Sequence, residues 1–403
     1  MHRRDLLKRL TLLPLVARGG ALYAAPAAGS SRLLVVYLRG AYDAANLLVP
    51  ISSSFYYQSR PTLAIARPAA GAAAEPGAAL PLTADWGLHP ALAKSLYPLY
   101  QRGELALVPF AGTDDVSRSH FETQDTVEMG QALTARRDYQ SGFLGRLAGV
   151  LNADRSRPAP VAFTSQPPLV FRGDAQVPNV ALGAQGKGGV DARQAAAITA
   201  MYEQTAWKAQ VAEGFAVRDA VQEAAAKEMD AASRNAVSAK GFERDARRMA
   251  RLMASRFQIG FVDVGGWDTH VGQGGATGYL ANRFDELGRG LAGFAEEMGP
   301  AWKDTVVVVI SEFGRTFREN GNRGTDHGHG TVYWVMGGNV RGGRIAGEQV
   351  AVSQATLFQD RDYPVLNDYR SVFGGVFQRL YGLRPDQLET VFKGVAPGRL
   401  DLV

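Results

Sequence analysis

Apolar positions in this chain gather into short unbroken runs. Arg32–Arg39 (RLLVVYLR), Leu105–Phe110 (LALVPF), Phe257–Val264 (FQIGFVDV), Thr305–Ile310 (TVVVVI) and Thr331–Met336 (TVYWVM) are apolar or β-branched along most of their length. Runs this short, several of them closed by glycine, read as strands covered on both faces, which is the habit of parallel sheets. Pro160–Phe171 adds two shorter strand-like pieces among prolines. Between the runs, Pro90–Tyr100 and Asn282–Met298 place apolar residues at helical spacing. Ser119 opens another helix as an N-cap, with Glu122 three residues on, the pattern of a capping box. Asp191–Ser255 is rich in Ala, Glu, Lys and Arg and predicts several helices.

Strands alternating with helices predict an α/β protein built on a largely parallel sheet. Ala66–Ala84, rich in Ala, Pro and Gly, reads as a surface connector. No repeat and no firm shift of composition divides the chain. Residues 28–403 therefore read as one domain, with 191–255 either a cap over it or an extra layer of it.

Composition removes several classes. The 403 residues are 46% hydrophobic and 21% charged, which excludes disordered and fibrous chains. Zero cysteine excludes disulfides, thiolate metal sites and a cysteine nucleophile. Any metal must sit on His, carboxylate, carbonyl or water. The net charge of +5 is concentrated at the start. Residues 1–27 carry five basic side chains against one acidic, a surplus of four that leaves +1 for the rest. The charge therefore gives no argument for a nucleic-acid partner.

That basic start leads into a weakly apolar stretch, Leu10–Ala25, and then Ala25-Pro26-Ala27, the layout of an export signal cleaved near residue 27. Arg3-Arg4 followed by Asp5-Leu6-Leu7-Lys8 resembles the twin-arginine motif. No later run reaches the length of a membrane span. These features predict a periplasmic or secreted protein.

Candidate chemistry follows the strand ends, where ligands bind in doubly wound sheets. Asp43, after the first run, is placed to ligate a metal or to cap a turn. Ser117-Arg118-Ser119-His120 puts a hydroxyl at a helix N-terminus, where free amides favour an anion and a metal or base can make Ser119 a nucleophile; capping alone is the plainer alternative. Gly266-Trp267-Asp268-Thr269-His270 sets Asp268 and His270 two residues apart, on one face of an extended loop, suited to Zn, Mn or Mg. Asp263 is the alternative carboxylate from that strand. Glu312 follows TVVVVI, and Arg315, Arg318 and Arg323 come after it, either as an anion-binding set or as a solvated basic loop. Asp326-His327-Gly328-His329 is a dense set of metal-ligand types, with the two histidines on one face and Asp326 on the other. His89, just before a helix, reads as a structural cap.

LRGAYDAANLLVP, DWGLHPAL, SRSHFETQD, GGWDTH, SEFGRT, GTDHGHGT and NDYRSV together resemble a secreted bacterial family catalogued as domain of unknown function 1501. That family looks like a branch of the alkaline phosphatase-like superfamily of phosphatases, arylsulfatases and phosphomutases. The resemblance implies a three-layer α/β/α sandwich holding two divalent cations, Zn, Mn, Mg or Ca, at the carboxyl ends of the strands. It implies metal ligands drawn from Asp43, Asp268, His270, Glu312, Asp326, His327 and His329. Ser119 would be the nucleophile, with His120, Arg118 and Arg315 as the other catalytic groups. Two departures stand out. Glu312-Phe313 replaces the superfamily's Asp-His, and the sulfatase C/S-x-P-x-R context is missing around Ser119. The function expected is an exported metal-dependent hydrolase of phosphate or related esters, acting on a small-molecule or glycan ester. The alternative is an exported binding protein that keeps the fold and one metal and contacts a glycan or partner protein.

Overall fold

The computed structural model describes residues 31–69, 76–153, 159–182, 198–212 and 241–403. The segment 1–27, expected to be an export signal, lies outside the described residues, as does most of 191–241.

One sheet organises the rest. Its strands are β1 (Arg32–Leu38), β2 (Leu105–Gly112), β3 (Pro160–Ala162), β4 (Ile259–Val264), β5 (Thr305–Ser311), β6 (Thr331–Met336), β7 (Arg344–Ile345) and β8 (Asn367–Asp368). Their order across the sheet is β7-β2-β6-β5-β1-β4-β3, with β8 also pairing β2. β1 is the centre, parallel to β4 on one side and to β5 on the other. β6 runs antiparallel between β5 and β2. All five long runs are thus strands, and only the direction of β6 departs from the parallel expectation. Direction leaves no mark on a run that is buried on both faces.

The main helices are α1 (His120–Met129), α2 (Phe143–Ala153), α3 (Phe242–Ser255), α4 (Tyr279–Met298), α5 (Tyr369–Tyr381) and α6 (Pro385–Val391). Alternation along β1 divides them into two layers. Leu34, Val36 and Leu38 pack with α3 and α4; Leu33, Val35 and Tyr37 pack with α2, α5 and α6. Each fully buried Val or Leu contributes about 1.5–3 kcal/mol, and all six of these β1 side chains are buried. The described end of the 191–255 stretch, α3, belongs to one of these layers. Pro160–Phe171 gives one short strand and a 3-10 turn at Leu169–Phe171 rather than two strands. Pro90–Tyr100 splits into a 3-10 turn and a helix at Leu96–Gln101. Leu48–Val49, Gly87–Leu88 and Leu80–Pro81 form a small antiparallel sheet that includes part of the expected connector.

The antiparallel β6 matters for the site. Its amino end meets the same sheet edge as the carboxyl ends of β1, β2, β4 and β5, so the His327–His329 loop that leads into β6 lies on the same edge as the loops that leave the other strands.

Candidate metal centre

Four side chains converge beyond that edge. His120 begins α1, Asp268 and His270 follow β4, and His327 precedes β6. Ligand atoms of His120, Asp268 and His327 lie within 4.8 Å of one another. His270 Nε2 stands 3.1 Å from His327 Nε2 and 3.0 Å from an Asp268 oxygen.

Hydrogen bonding fixes what these rings present. His120 Nδ1 is 2.8 Å from Glu312 Oε1, His270 Nδ1 is 3.0 Å from Asp326 Oδ1, and His327 Nδ1 is 2.9 Å from the Arg118 carbonyl. A carboxylate or a carbonyl can only accept, so each Nδ1 carries the proton. In a neutral ring Nε2 is then a bare lone pair. All three Nε2 atoms lie within 3.6 Å of an Asp268 carboxylate oxygen, and His120 Nε2 is shut from solvent without a hydrogen-bond partner. That arrangement suits a cation at the centre. Three imidazoles and a carboxylate fit a borderline divalent ion such as Zn or Mn.

The surroundings keep Asp268 and His327 in the binding state. Burial works to raise the Asp268 carboxyl, but the Arg315 hydrogen bond and charge, helped by His270 and His120, hold it below the usual range. Arg315 is itself buried and donates from Nη1 to Asp268 Oδ1 at 2.6 Å. Burial lowers His327, with the His120 and Arg315 charges adding to it, so the ring is neutral at pH 7. The hydrogen bond to Glu312 raises His120 against burial. Phe313 packs as a floor, its ring 5.0 Å from His120 and 5.3 Å from His327.

Several expected ligands have other work. Asp43 is 1% exposed and forms a forked salt bridge with Arg60. It also accepts from Gln273 Nε2 at 2.6 Å, so its charge is already answered and it does not join the donors. Glu312 is fully buried; its Oε1 accepts from Gly40 N, His120 and Gln124, and its Oε2 from Ser311. These bonds pull its pKa down against burial, and they make Glu312 the orienting partner of His120. Asp326 plays the same part for His270 and is held by Asn320 Nδ2 at 3.0 Å. His329 parts from His327 because the chain bends at His329. Its ring faces Phe358 at 4.8 Å, and its Nδ1 is buried without a partner. Gly314 and Gly328 allow the tight approach of the two loops here: a Cβ on Gly314 would come within 1.9 Å of the Gly330 carbonyl. Asp263 pairs with Arg39 at 2.7 Å.

Among the expected catalytic groups, His120 has moved into the donor set and Arg315 acts through Asp268. Arg118 is held by Asp362 at 2.6 Å and by Gln359 at 2.8 Å. Arg318 pairs with Asp360, and Arg323 is exposed. Ser119 does cap α1, its Oγ accepting from Glu122 N at a long 3.5 Å. The capping box is only half formed, since Ser119 N donates to Ser117 Oγ. His89 is the structural cap expected: its Nδ1 accepts from Ala91 N and its Nε2 meets the Gly275 carbonyl at 3.1 Å.

Sequence reasoning passed over Gln124 and Gln273. Gln124 carried a signal, since it lies four residues after His120 on the same helix face. Gln273, in a glycine-rich loop, carried none.

Fold and site together define an α/β protein with a histidine–carboxylate centre at one edge of its sheet. Residues 30–392 match the family described as "Protein of unknown function (DUF1501)", and the chain belongs to that family. No curated protein matches the sequence. Among solved structures, a protein in the alkaline phosphatase superfamily from Vibrio parahaemolyticus is similar at 12% identity and a TM-score of 0.35, over 80% of this chain and 64% of that one. The lipoteichoic acid synthase LtaP from Listeria monocytogenes is similar at 8% identity and 0.39, over 90% and 74%.

Proposed function

We propose that this protein is an exported metal-dependent hydrolase of phosphate or related esters, with a His120–His270–His327–Asp268 centre. The observation that carries the reading is the convergence of three Nε2 lone pairs on one carboxylate, each ring held in that tautomer by an oxygen acceptor behind it. A divalent cation bound there supplies Lewis acidity to an ester oxygen. The chain supplies the rest. Arg315 holds Asp268 in place, Phe313 excludes water from beneath two of the rings, and Ser119 offers a hydroxyl at the start of α1. The amides of that first turn favour the negative charge of an ester anion. Asp43 and Glu312 are both fully engaged, so the donors assembled among the described residues suit one ion rather than two.

Metal analysis of the purified protein, followed by hydrolysis of aryl phosphate esters, tests this. About one equivalent of metal is expected, with turnover lost on chelation and restored by Zn or Mn. His327→Ala should lose both metal and turnover. Protein that binds no metal overturns the reading. Protein that holds the metal without turnover on a broad ester panel favours the exported binding protein instead.

A further inference from the structure

The donors come from two separate loops, Asp268–His270 after β4 and Asp326–His327 before β6. Something must set their register, because a shift of about 1 Å is enough to spoil a converging set. Two buried side chains touch both: Arg315, which donates to Asp268 and to Thr325, and Gln273, which reaches the threonine next to the donors on each loop. Gln273 has no exposed surface. Its Oε1 accepts from Thr269 Oγ1 at 2.7 Å and from Thr325 Oγ1 at 2.9 Å. Thr269 sits between the donors of one loop, and Thr325 lies beside the donors of the other. The same two residues are joined directly, Thr325 N donating to the Thr269 carbonyl at 3.1 Å. Behind them, Gln273 Nε2 donates to Asp43 Oδ2 at 2.6 Å, and Asp43 is anchored by the buried Arg60 fork.

We propose that Gln273, backed by the Asp43–Arg60 pair, is a positioning residue that clasps the two donor loops in the register the metal centre needs. The chemistry of the glutamine suits the task. Its amide oxygen has two lone pairs and takes one threonine on each. Its amide nitrogen meets the carboxylate that Arg60 holds. Asp43, buried and salt-bridged, therefore serves the centre at one remove. The inference rests on the metal-centre reading for its effect on affinity, whereas the clasp itself is visible without metal.

The test compares full-length wild type with Gln273→Met, which keeps volume and removes both amide functions. A double variant, Gln273→Glu with Asp43→Asn, moves the carboxylate across the same hydrogen bond and keeps the net charge beside Arg60. Two quantities are read: the dissociation constant for zinc alone, by chelator competition, and the exchange rate of the Thr325 amide in metal-free protein. Gln273→Met should raise the zinc dissociation constant about 10–100-fold and speed Thr325 exchange at least about tenfold. The double variant should recover both more fully than either single substitution. Unchanged Thr325 exchange in Gln273→Met overturns the clasp. A lowered melting temperature with unchanged zinc affinity overturns it as a positioning residue, leaving only packing. If wild type binds no zinc but Gln273→Met still frees Thr325, the metal reading falls and the clasp stands.

Discussion

Two residues show how the same side-chain type is put to opposite uses. His120 donates from Nδ1 to a buried carboxylate and keeps Nε2 free, whereas His89 spends both nitrogens on backbone groups. Glu312 sets the first case. Glu312→Gln keeps the shape but removes the charge that holds His120, so zinc affinity should fall about 10–100-fold with the fold intact; equilibrium dialysis checks it. His89 sets a pH dependence. Burial pushes its pKa down to about 4, against the pull of the Gly275 carbonyl, while an unfolded histidine titrates near 6.5. Between these values the unfolded chain binds the extra proton. The stability is therefore complete above about pH 6.5, declines as pH falls toward 4, and levels off below it, a loss of about 3 kcal/mol. Urea titrations of wild type and His89→Gln at pH 7.5 and pH 4 should show that loss in the first and little of it in the second. Equal slopes would mean that other groups carry the acid sensitivity.

At the scale of elements, what could be read from sequence followed from how much each segment buries. β1, β5 and β6 are buried along nearly all their length, so their runs are dense and their ends fell within a residue or two. β7 and β8 have two residues each and no period to read. The direction of β6 was hidden because the run is equally apolar either way. The site was legible as residue types and not as a list of ligands. His327 and His329 share a face only while the chain stays extended, and the bend at His329 sends that ring to Phe358. Asp43 looked like a ligand because Arg60, seventeen residues on, shows no sign in sequence of reaching it. α1 supports a further prediction. Ser119 stands next to the donor His120 at the start of α1, and its cap bond is long. Ser119→Ala should therefore abolish ester hydrolysis while costing stability only near the low end of the roughly 0.5–2 kcal/mol of a lost N-cap, with metal content unchanged. Full activity in a folded, metal-loaded variant would remove Ser119 from the reaction.

At the scale of the whole molecule, export and assembly meet. We propose export by the twin-arginine route, in which the chain folds before it crosses. Among the described residues no helix is long and apolar enough to span a membrane. Replacing Arg3 and Arg4 with lysine should leave precursor in the cytoplasm, as fractionation and immunoblotting would show; undiminished export would exclude that route. The strand order adds a matter of timing. β2 is buried along its whole length, and its partners in the sheet are β6, β7 and β8, all from the last quarter of the chain. At about 5–20 residues per second, a ribosome that has finished Gly112 needs roughly 10–40 s more to reach Thr331. Through that interval the nascent Leu105–Gly112 has none of its sheet neighbours. A chain broken off before residue 331 would carry that strand permanently unpaired, an open invitation to aggregation, and the cell's quality control would meet the protein first at this strand.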